Sequence, residues 1–353
     1  MDSREDAPND DRPAEPPTSK SHRDRSGGFI RRHKALTVLI ALATVAAVVV
    51  AGLGIWVWTL NNKIDDIPRV DVDLERDDRP DRTQPKDALN VLLVGVDGRG
   101  TDVRQRLEEG DTGLLSDTMM IWHLEEDHQN SQVVSFPRDS WVDIPGYGEA
   151  KLNAAFSYGG PELLVQTLED TLDIYIDHIA VVDFEGFKGI TDTLGGVELE
   201  TAGGGTQNYD GEEALEYVRE RKSLPAGDFD RIDRQQNFLR QVLHEATRTG
   251  TRMNPFTVDN LIGDLGQLLV LDDDWSNGEI RDLGFDVVTQ GAGDVVWMTA
   301  FNNGTGTSAD GQSIVLLDVE KTKELMAAIS RDEFEDYLED NRIDRLPKPE
   351  DVP

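Results

Sequence analysis

Residues Ala35 to Leu60, ALTVLIALATVAAVVVAGLGIWVWTL, run without a single charge, and nothing else in the chain restricts its fold so sharply. About 20 apolar residues cross a bilayer as a helix, so this stretch predicts one transmembrane helix. Arg31, Arg32 and Lys34 precede it and Asp65 and Asp66 follow it, which by the positive-inside rule sets the N-terminus in the cytoplasm. Everything after residue 60 is then extracytoplasmic, and the protein is expected in the cell membrane as a single-pass chain. Trp56 and Trp58 belong at the outer interface. The apolar region of a cleaved signal peptide is shorter, about 7 to 15 residues, so an uncleaved anchor is the expectation.

This anchor divides the 353 residues. Residues 1–34, rich in Asp, Arg, Pro and Ser, predict a disordered cytoplasmic tail. Residues 61–87 hold Pro68, Pro80 and Pro85 without apolar periodicity and predict an extracytoplasmic stalk. Residues 88–331 are long enough to bury a core without disulfides, and the chain has no cysteine. Residues 332–353 predict a loose acidic tail. A formal net charge of -34 and the outward topology both exclude nucleic acid as a partner.

Leu89 to Val96, LNVLLVGV, is a near-continuous apolar run of the kind found in strands covered on both faces. Strands are also predicted at 118–124, 132–136, 178–184, 197–199, 294–299 and 313–317. Helices are predicted at 151–158, 161–172, 185–194, 258–271 and 319–329. This alternation predicts an α/β domain, a three-layer α/β/α sandwich. Charged residues gather where the strands stop: Asp97-Gly98-Arg99, Ser116-Asp117 and Pro137-Arg138-Asp139. In open α/β sheets, ligands collect beyond strand ends.

Between Arg219 and Arg240, six basic residues stand against four acidic ones, an arginine island in a strongly acidic chain. Guanidinium forks suit a polyanion, and phosphate is the first candidate. Ala214, Leu215, Tyr217 and Val218 predict a helix ending near Arg219. An extended chain beyond it lets Arg219 and Arg221 point the same way. A second helix follows Gly227, with Asp228 or Asp230 as its N-cap. Its apolar stripe, Phe238, Leu239, Val242 and Ala246, extends backwards through Arg231, Arg234 and Gln235, which are therefore expected to face inward. A solvated charged face is the competing reading, but its arginines belong opposite the apolar stripe.

Several chemistries lack their signatures. There is no GxSxG, no cysteine nucleophile, no Walker loop and no GxGxxG. DDDWSNG at Asp272 has Leu283 where a calcium loop needs its twelfth-position Glu. The histidines show no metal-ligand spacing. What remains is aspartate and arginine. Asp97 and Asp117 are hard oxygen ligands suited to Mg²⁺ or Mn²⁺, and arginines neutralise charge in phosphoryl transfer.

These residues fall in an ordered series: NVLLVGVDGR, SDTMM, VVSFPRDSWVDIPGYG, KLNAAFSYGG, IDHIAVVDFEGF, DTLGGVEL, GEEALEYVRERKS and DFDRIDRQQNFL. From Asn90 to Leu243 the series resembles the LytR-CpsA-Psr family of membrane-anchored envelope enzymes in Gram-positive bacteria and actinobacteria. The resemblance implies transfer of an anionic glycopolymer, such as teichoic acid, from a polyprenyl-pyrophosphate carrier to a peptidoglycan hydroxyl, with Mg²⁺ as cofactor. It implies that Asp97 and Asp117 hold the metal, while Arg99, Arg138, Arg219, Arg221, Arg231 and Gln235 bind pyrophosphate oxygens. Lys151, Asp139, Asp228 and Arg234 fall on further motif positions, and Asp228 is the expected general base. It also implies an apolar pocket for the prenyl chain. Leu115 stands where many relatives carry an arginine, and Arg104 and Arg106 are the nearby basic residues. A pyrophosphatase acting on the same carrier and a non-catalytic lipid-binding regulator are the alternative readings.

Overall fold

The computed structural model describes Thr59 and residues 62–353, apart from 75, 99–102, 112, 203–204, 248–265, 267 and 291–293. The tail at 1–34, the apolar stretch except Thr59, and Arg99 lie outside the described residues. No helix among the described residues is long and apolar enough to cross a membrane.

The strands of the central sheet are β1 (Arg69–Val70), β2 (Leu89–Asp97), β3 (Leu115–Leu124), β4 (Asn130–Ser135), β7 (His178–Asp183), β10 (Leu269–Asp272) and β11 (Asp294–Thr299). Their order is β1-β10-β7-β2-β3-β4-β11. The sheet is mixed, with parallel pairs β1/β10, β7/β2 and β4/β11 and antiparallel pairs β10/β7, β2/β3 and β3/β4. Three hairpins lie outside it: β5/β6 (Trp141–Ile144, Gly148–Lys151), β8/β9 (Val197–Thr201, Gly205–Tyr209) and β12/β13 (Asn302–Thr307, Ser313–Leu317).

The helices are α1 (Val103–Glu108), α2 (Leu152–Leu172), α3 (Phe184–Thr193), α4 (Gly211–Arg219), α5 (Asp228–Ala246), α6 (Asn277–Gln290), α7 (Val319–Ser330) and α8 (Phe334–Asp340). Alternate side chains of the sheet point into two layers, as strand periodicity requires. Leu92 and Val94 of β2, Met119 and Ile121 of β3, and Val134 of β4 join one core with Phe156 and Leu164 of α2 and Met326 and Ile329 of α7. Met120, Val133 and Trp297, on the opposite face, pack with Leu239 and Leu243 of α5. The expected three layers are present.

Three expectations need correction. Residues 62–87 are no free stalk. β1 adds to the sheet, Val70, Val72 and Leu74 are buried in the core, and Arg76 and Arg79 both reach the buried carboxylate of Glu169. Alternating charge and proline masked these few apolar anchors. The segment after Arg331 is not loose either. Phe334 and Val352 are buried, Leu346 N–H donates to Trp297, and Arg345 bridges to Met298. The predicted helix at 258–271 lies outside the described residues except at its end, where Leu269 to Leu271 pair with β7 and β1 as strand.

Candidate active site

One edge of the sheet collects the charged strand ends. β3 runs antiparallel to β2 and β4, so its start lies beside their ends: Asp97 pairs with Leu115, and Met120 pairs with Ser135. Asp183, at the end of β7, pairs with Val96 on the same edge. Gly95 pairs with Thr118 and Val96 with Ser116, so Asp117 is the extra residue of a β-bulge. A bulge redirects a side chain that a regular ladder would keep in its alternating place. Gly95 serves the close approach there, because a Cβ on it would lie 3.0 Å from the Thr118 Cβ.

α5 is fastened so that its first turn overhangs this edge. Gln236, midway along it, donates to Ser135 Oγ at 2.7 Å and to the Met298 carbonyl at 2.8 Å, at the ends of β4 and β11. The helix begins after Gly227, whose φ of 63° leaves no cap to Asp228 or Asp230. Asp230 instead accepts from Ala226 N–H at 2.7 Å. Asp228 is thereby left to the cluster. Its Oδ1 stands 2.9 Å from Arg231 Nη2 and 3.8 Å from Arg138 Nη2, and Arg138 also donates to Asp117.

This chain of alternating charges, Asp117, Arg138, Asp228 and Arg231, shapes its own electrostatics. Burial pulls Arg231 below its ordinary pKa; Asp228 opposes that, and the neighbouring charges of Arg138 and Arg221 add to it. Burial acts the same way on Arg138, but the Asp117 hydrogen bond and the charges of Asp117, Asp228 and Asp139 outweigh it, and its value is raised. Arg231 is only 5% exposed. Arg138 Nε, Arg231 Nε and Asp228 Oδ2 are buried without a hydrogen-bond partner, while Asp228 Oδ1 is taken up by its ion pair with Arg231. Buried polar groups are ordinarily satisfied. Two open guanidinium donors and one open carboxylate oxygen side by side fit a ligand that offers anionic oxygens and a hydroxyl together.

The other predicted residues divide between the cluster and its surroundings. Arg221 is exposed and near enough to Arg231 to repel it. Arg219, the last residue of α4, lies 4.3 Å over the ring of Phe184 at the end of β7, so the two arginines are not a pair gripping from one extended strand. Lys151 pairs with Asp139 at 3.0 Å beside Arg138. Arg234 and Gln235 turn to α4: Arg234 donates to the Tyr217 and Pro353 carbonyls, and Gln235 to Val218. They lace α5 to α4 instead of facing the cluster. Arg104 and Arg106 pair with Glu108 and Asp111.

For a divalent ion, Asp97 and Asp117 supply two hard oxygen ligands from adjacent strands. That set fits Mg²⁺, which takes one or two carboxylates and completes its shell with phosphate and water. Among the described residues no group of three or more His, Asp or Glu could hold a metal by itself. At Asp272, the carboxylate accepts from Ile179 N–H at 2.9 Å and pairs with His178 at 3.1 Å, a structural use.

A cavity of about 210 Å³ opens beside this edge, lined by Pro68, Val103, Val181 and Val270 together with the charged Asp183 and Glu185.

A family model described as the LytR_cpsA_psr family matches residues 59–325. The probable cell wall biosynthesis protein LcpB of Corynebacterium glutamicum is 37% identical over 262 residues, 66% of this chain and 60% of LcpB. The chain thus spans less than two thirds of that relative. The Bacillus subtilis polyisoprenyl-teichoic acid–peptidoglycan teichoic acid transferase TagU is 30% identical over 230 residues, 61% of this chain and 72% of TagU. Among solved structures, a LytR-Csp2A-Psr enzyme from Actinomyces oris superposes with a TM-score of 0.56 at 20% identity, covering 75% of this chain and 96% of the other. That likeness is one of fold.

Proposed function

Because the chain belongs to the LytR_cpsA_psr family, we propose that it transfers an anionic glycopolymer from a polyprenyl-pyrophosphate carrier to a peptidoglycan sugar hydroxyl, while anchored in the cell membrane by residues 35–60. The observation that carries the reading is the buried cluster in which Arg138 and Arg231 keep open donors beside the open carboxylate of Asp228. TagU, named as a polyisoprenyl-teichoic acid–peptidoglycan transferase, supports the substrate class.

In this reading the acceptor oxygen attacks the phosphorus that bears the glycopolymer. A phosphodiester forms, the bond to the bridging oxygen breaks, and polyprenyl phosphate leaves with the electron pair. The hydroxyl proton passes to Asp228, whose Oδ2 has no hydrogen-bond partner and lies open to receive it. Arg138 and Arg231 hold the phosphate oxygens and balance charge that grows on them, a task that a fixed, half-dry site performs better than water. Arg219 and Arg221 extend the basic rim, with Lys151 beside Asp139, and Arg99 keeps the pyrophosphate-binding role that its motif position implies. Asp97 and Asp117 would hold Mg²⁺ or Mn²⁺, which supplies further charge neutralisation on the diphosphate.

The test uses the full chain in detergent with a lipid-linked teichoic acid precursor, Mg²⁺ and peptidoglycan, and identifies the linkage by mass spectrometry. Wild type should form the phosphodiester, and Arg138→Ala should not. A product that appears only as free polymer, equally with and without peptidoglycan, would replace transfer with hydrolysis. Equal turnover by Arg138→Ala would remove the arginine clamp.

A further inference from the structure

Among the described residues the large exposed hydrophobic side chains are Tyr147, Tyr158 and Leu316, and the two tyrosines come together from different elements. Tyr147, 58% exposed, forms the tip of the β5/β6 hairpin; Tyr158, 44% exposed, ends the first half of α2. Their rings stack at 4.7 Å between centroids and 22° between planes. A stacked pair this exposed to water is an unusual use of two tyrosines, because burial is what an aromatic ring ordinarily gains.

Both tyrosines are set on glycines that keep the ground around them open. Gly146 and Gly148 flank Tyr147 at φ 80° and 77°, and Gly160, two residues beyond Tyr158, has φ 67°. A Cβ on any of the three would meet nothing within 4 Å. Both tyrosines are also tied to the site. Lys151 is the last residue of β6 and the N-cap of α2. From it, Tyr158 is seven residues along a helix, about 10 Å, and the start of β6 beside Tyr147 is three residues along a strand, also about 10 Å. Leu152 N–H donates to Ser140 and Asn153 N–H to Arg138, which fixes this unit to the loop that carries the clamp.

The geometry points to a carbohydrate-stacking platform: Tyr147 and Tyr158 hold the acceptor glycan, an uncharged run of pyranose rings, with one end directed at Lys151 and Asp228. The inference rests on the transfer reading and adds the place of its second substrate. Pyranose rings present C–H bonds to an aromatic face while their hydroxyls meet the phenol oxygens and water. An aromatic face suits an uncharged run of pyranose rings, while the neighbouring arginine cluster at Arg138 and Arg231 takes the anionic donor.

The test is a tyrosine footprint. The full chain is reconstituted in liposomes, treated with tetranitromethane with and without a soluble β-1,4-linked N-acetylglucosamine hexamer, and mapped by mass spectrometry. The hexamer should lower nitration of Tyr147 and Tyr158 at least threefold and leave Tyr209 and Tyr337 unchanged. Tyr147→Ala or Tyr158→Ala should weaken hexamer binding about tenfold, and Tyr147→Phe should restore most of it, a rescue that general damage to the fold would not show. Protection by the bilayer alone would make the pair a membrane contact and overturn the inference. So would absence of any hexamer effect, or equal binding by the alanine variants. Because binding is read without turnover, failure here is distinct from failure of the transfer assay.

Discussion

At the scale of single residues, the site turns on guanidiniums held where water is scarce. Arg231 is the most buried of them, and its planar fork offers several donors in fixed directions where a lysine offers one compact charge. Arg231→Lys is therefore expected to keep the fold and lose at least about tenfold in transfer, since one lost charge-assisted hydrogen bond is worth about 1.5–3 kcal/mol. Asp228→Asn removes the proton acceptor and should lower the rate about 10²- to 10⁴-fold. Single-turnover assays with lipid-linked donor check both; a rate near wild type in Asp228→Asn would move the base elsewhere. A neighbour on the same helix carries a pH dependence. Burial, then the charges of Asp230 and Asp344, raises the Asp233 carboxyl from 3.8 to about 6. The folded protein thus binds this proton more tightly than the unfolded chain does. Its favourable contribution is complete below pH 3.8 and is lost as pH rises through about 6. Asp233→Asn should then stabilise the protein at pH 7.5 by about 1–2 kcal/mol, the full shift being discounted for partial exposure, and do nothing at pH 3.5. Urea melts at the two pH values decide it, and an equal gain at both would show that the carboxylate charge is not the cause.

At the scale of elements, α2 shows what local chemistry makes legible. The sequence KLNAAFSYGGPE predicts two helical pieces on either side of Gly159-Gly160, and the structure runs them together across a kink at those residues. Gly160 sits at φ 67°, ψ -156°, a region open essentially to glycine alone. Gly160→Ala should cost about 1–3 kcal/mol by backbone strain even though a Cβ there has open space. Denaturant unfolding measures it, and a loss well below 1 kcal/mol would mean the kink relaxes. The central strands were legible for a similar reason: LNVLLVGV and its neighbours are too apolar to lie anywhere but inside a sheet. Of the three hairpins, β8 and β13 were legible as strands at 197–199 and 313–317, but their partners were not, since NNGTGT and GTQNY carry few apolar residues to reveal a period. Within the site, the strand-end pattern pointed to Arg138, the apolar stripe to Arg231 and the family resemblance to Asp228, but periodicity could not separate Arg231, which enters the cluster, from Arg234, three residues on, which leaves it for Tyr217. The bulge that frees Asp117 depends on a register between strands, and the stacked tyrosines depend on two turns meeting. Neither leaves a trace in one dimension.

At the scale of the whole molecule, the segment that links the apolar stretch to the domain is part of the domain. Arg76 Nη2 reaches Glu169 Oε2 at 2.5 Å, Arg79 Nη2 reaches Oε1 at 2.6 Å, and Ile176 N–H donates to the same carboxylate at 2.9 Å. Arg79 also covers the ring of Tyr175 at 3.8 Å, and Arg82 pairs with Asp177 at 2.9 Å. Glu169 lies in the second half of α2, the kinked helix that Lys151 caps, so the strap and the candidate site are joined through one element across its kink. Glu169 has no exposed surface, and its removal would leave Arg79 without its carboxylate partner and Arg76 with only the longer contacts to Asp78 and Asp170 at 3.7 and 3.8 Å. Breaking a buried pair in this way costs about 3–5 kcal/mol, far more than an exposed ion pair contributes. Glu169→Ala is accordingly expected to lower urea stability by about that amount. Trypsin should also cut sooner at Arg76, Arg79 and Arg82, while Glu169→Gln falls between the two. If Glu169→Ala unfolds with wild type and its tryptic pattern is unchanged, this carboxylate does not hold the segment, and β1 and its buried valines must do so alone.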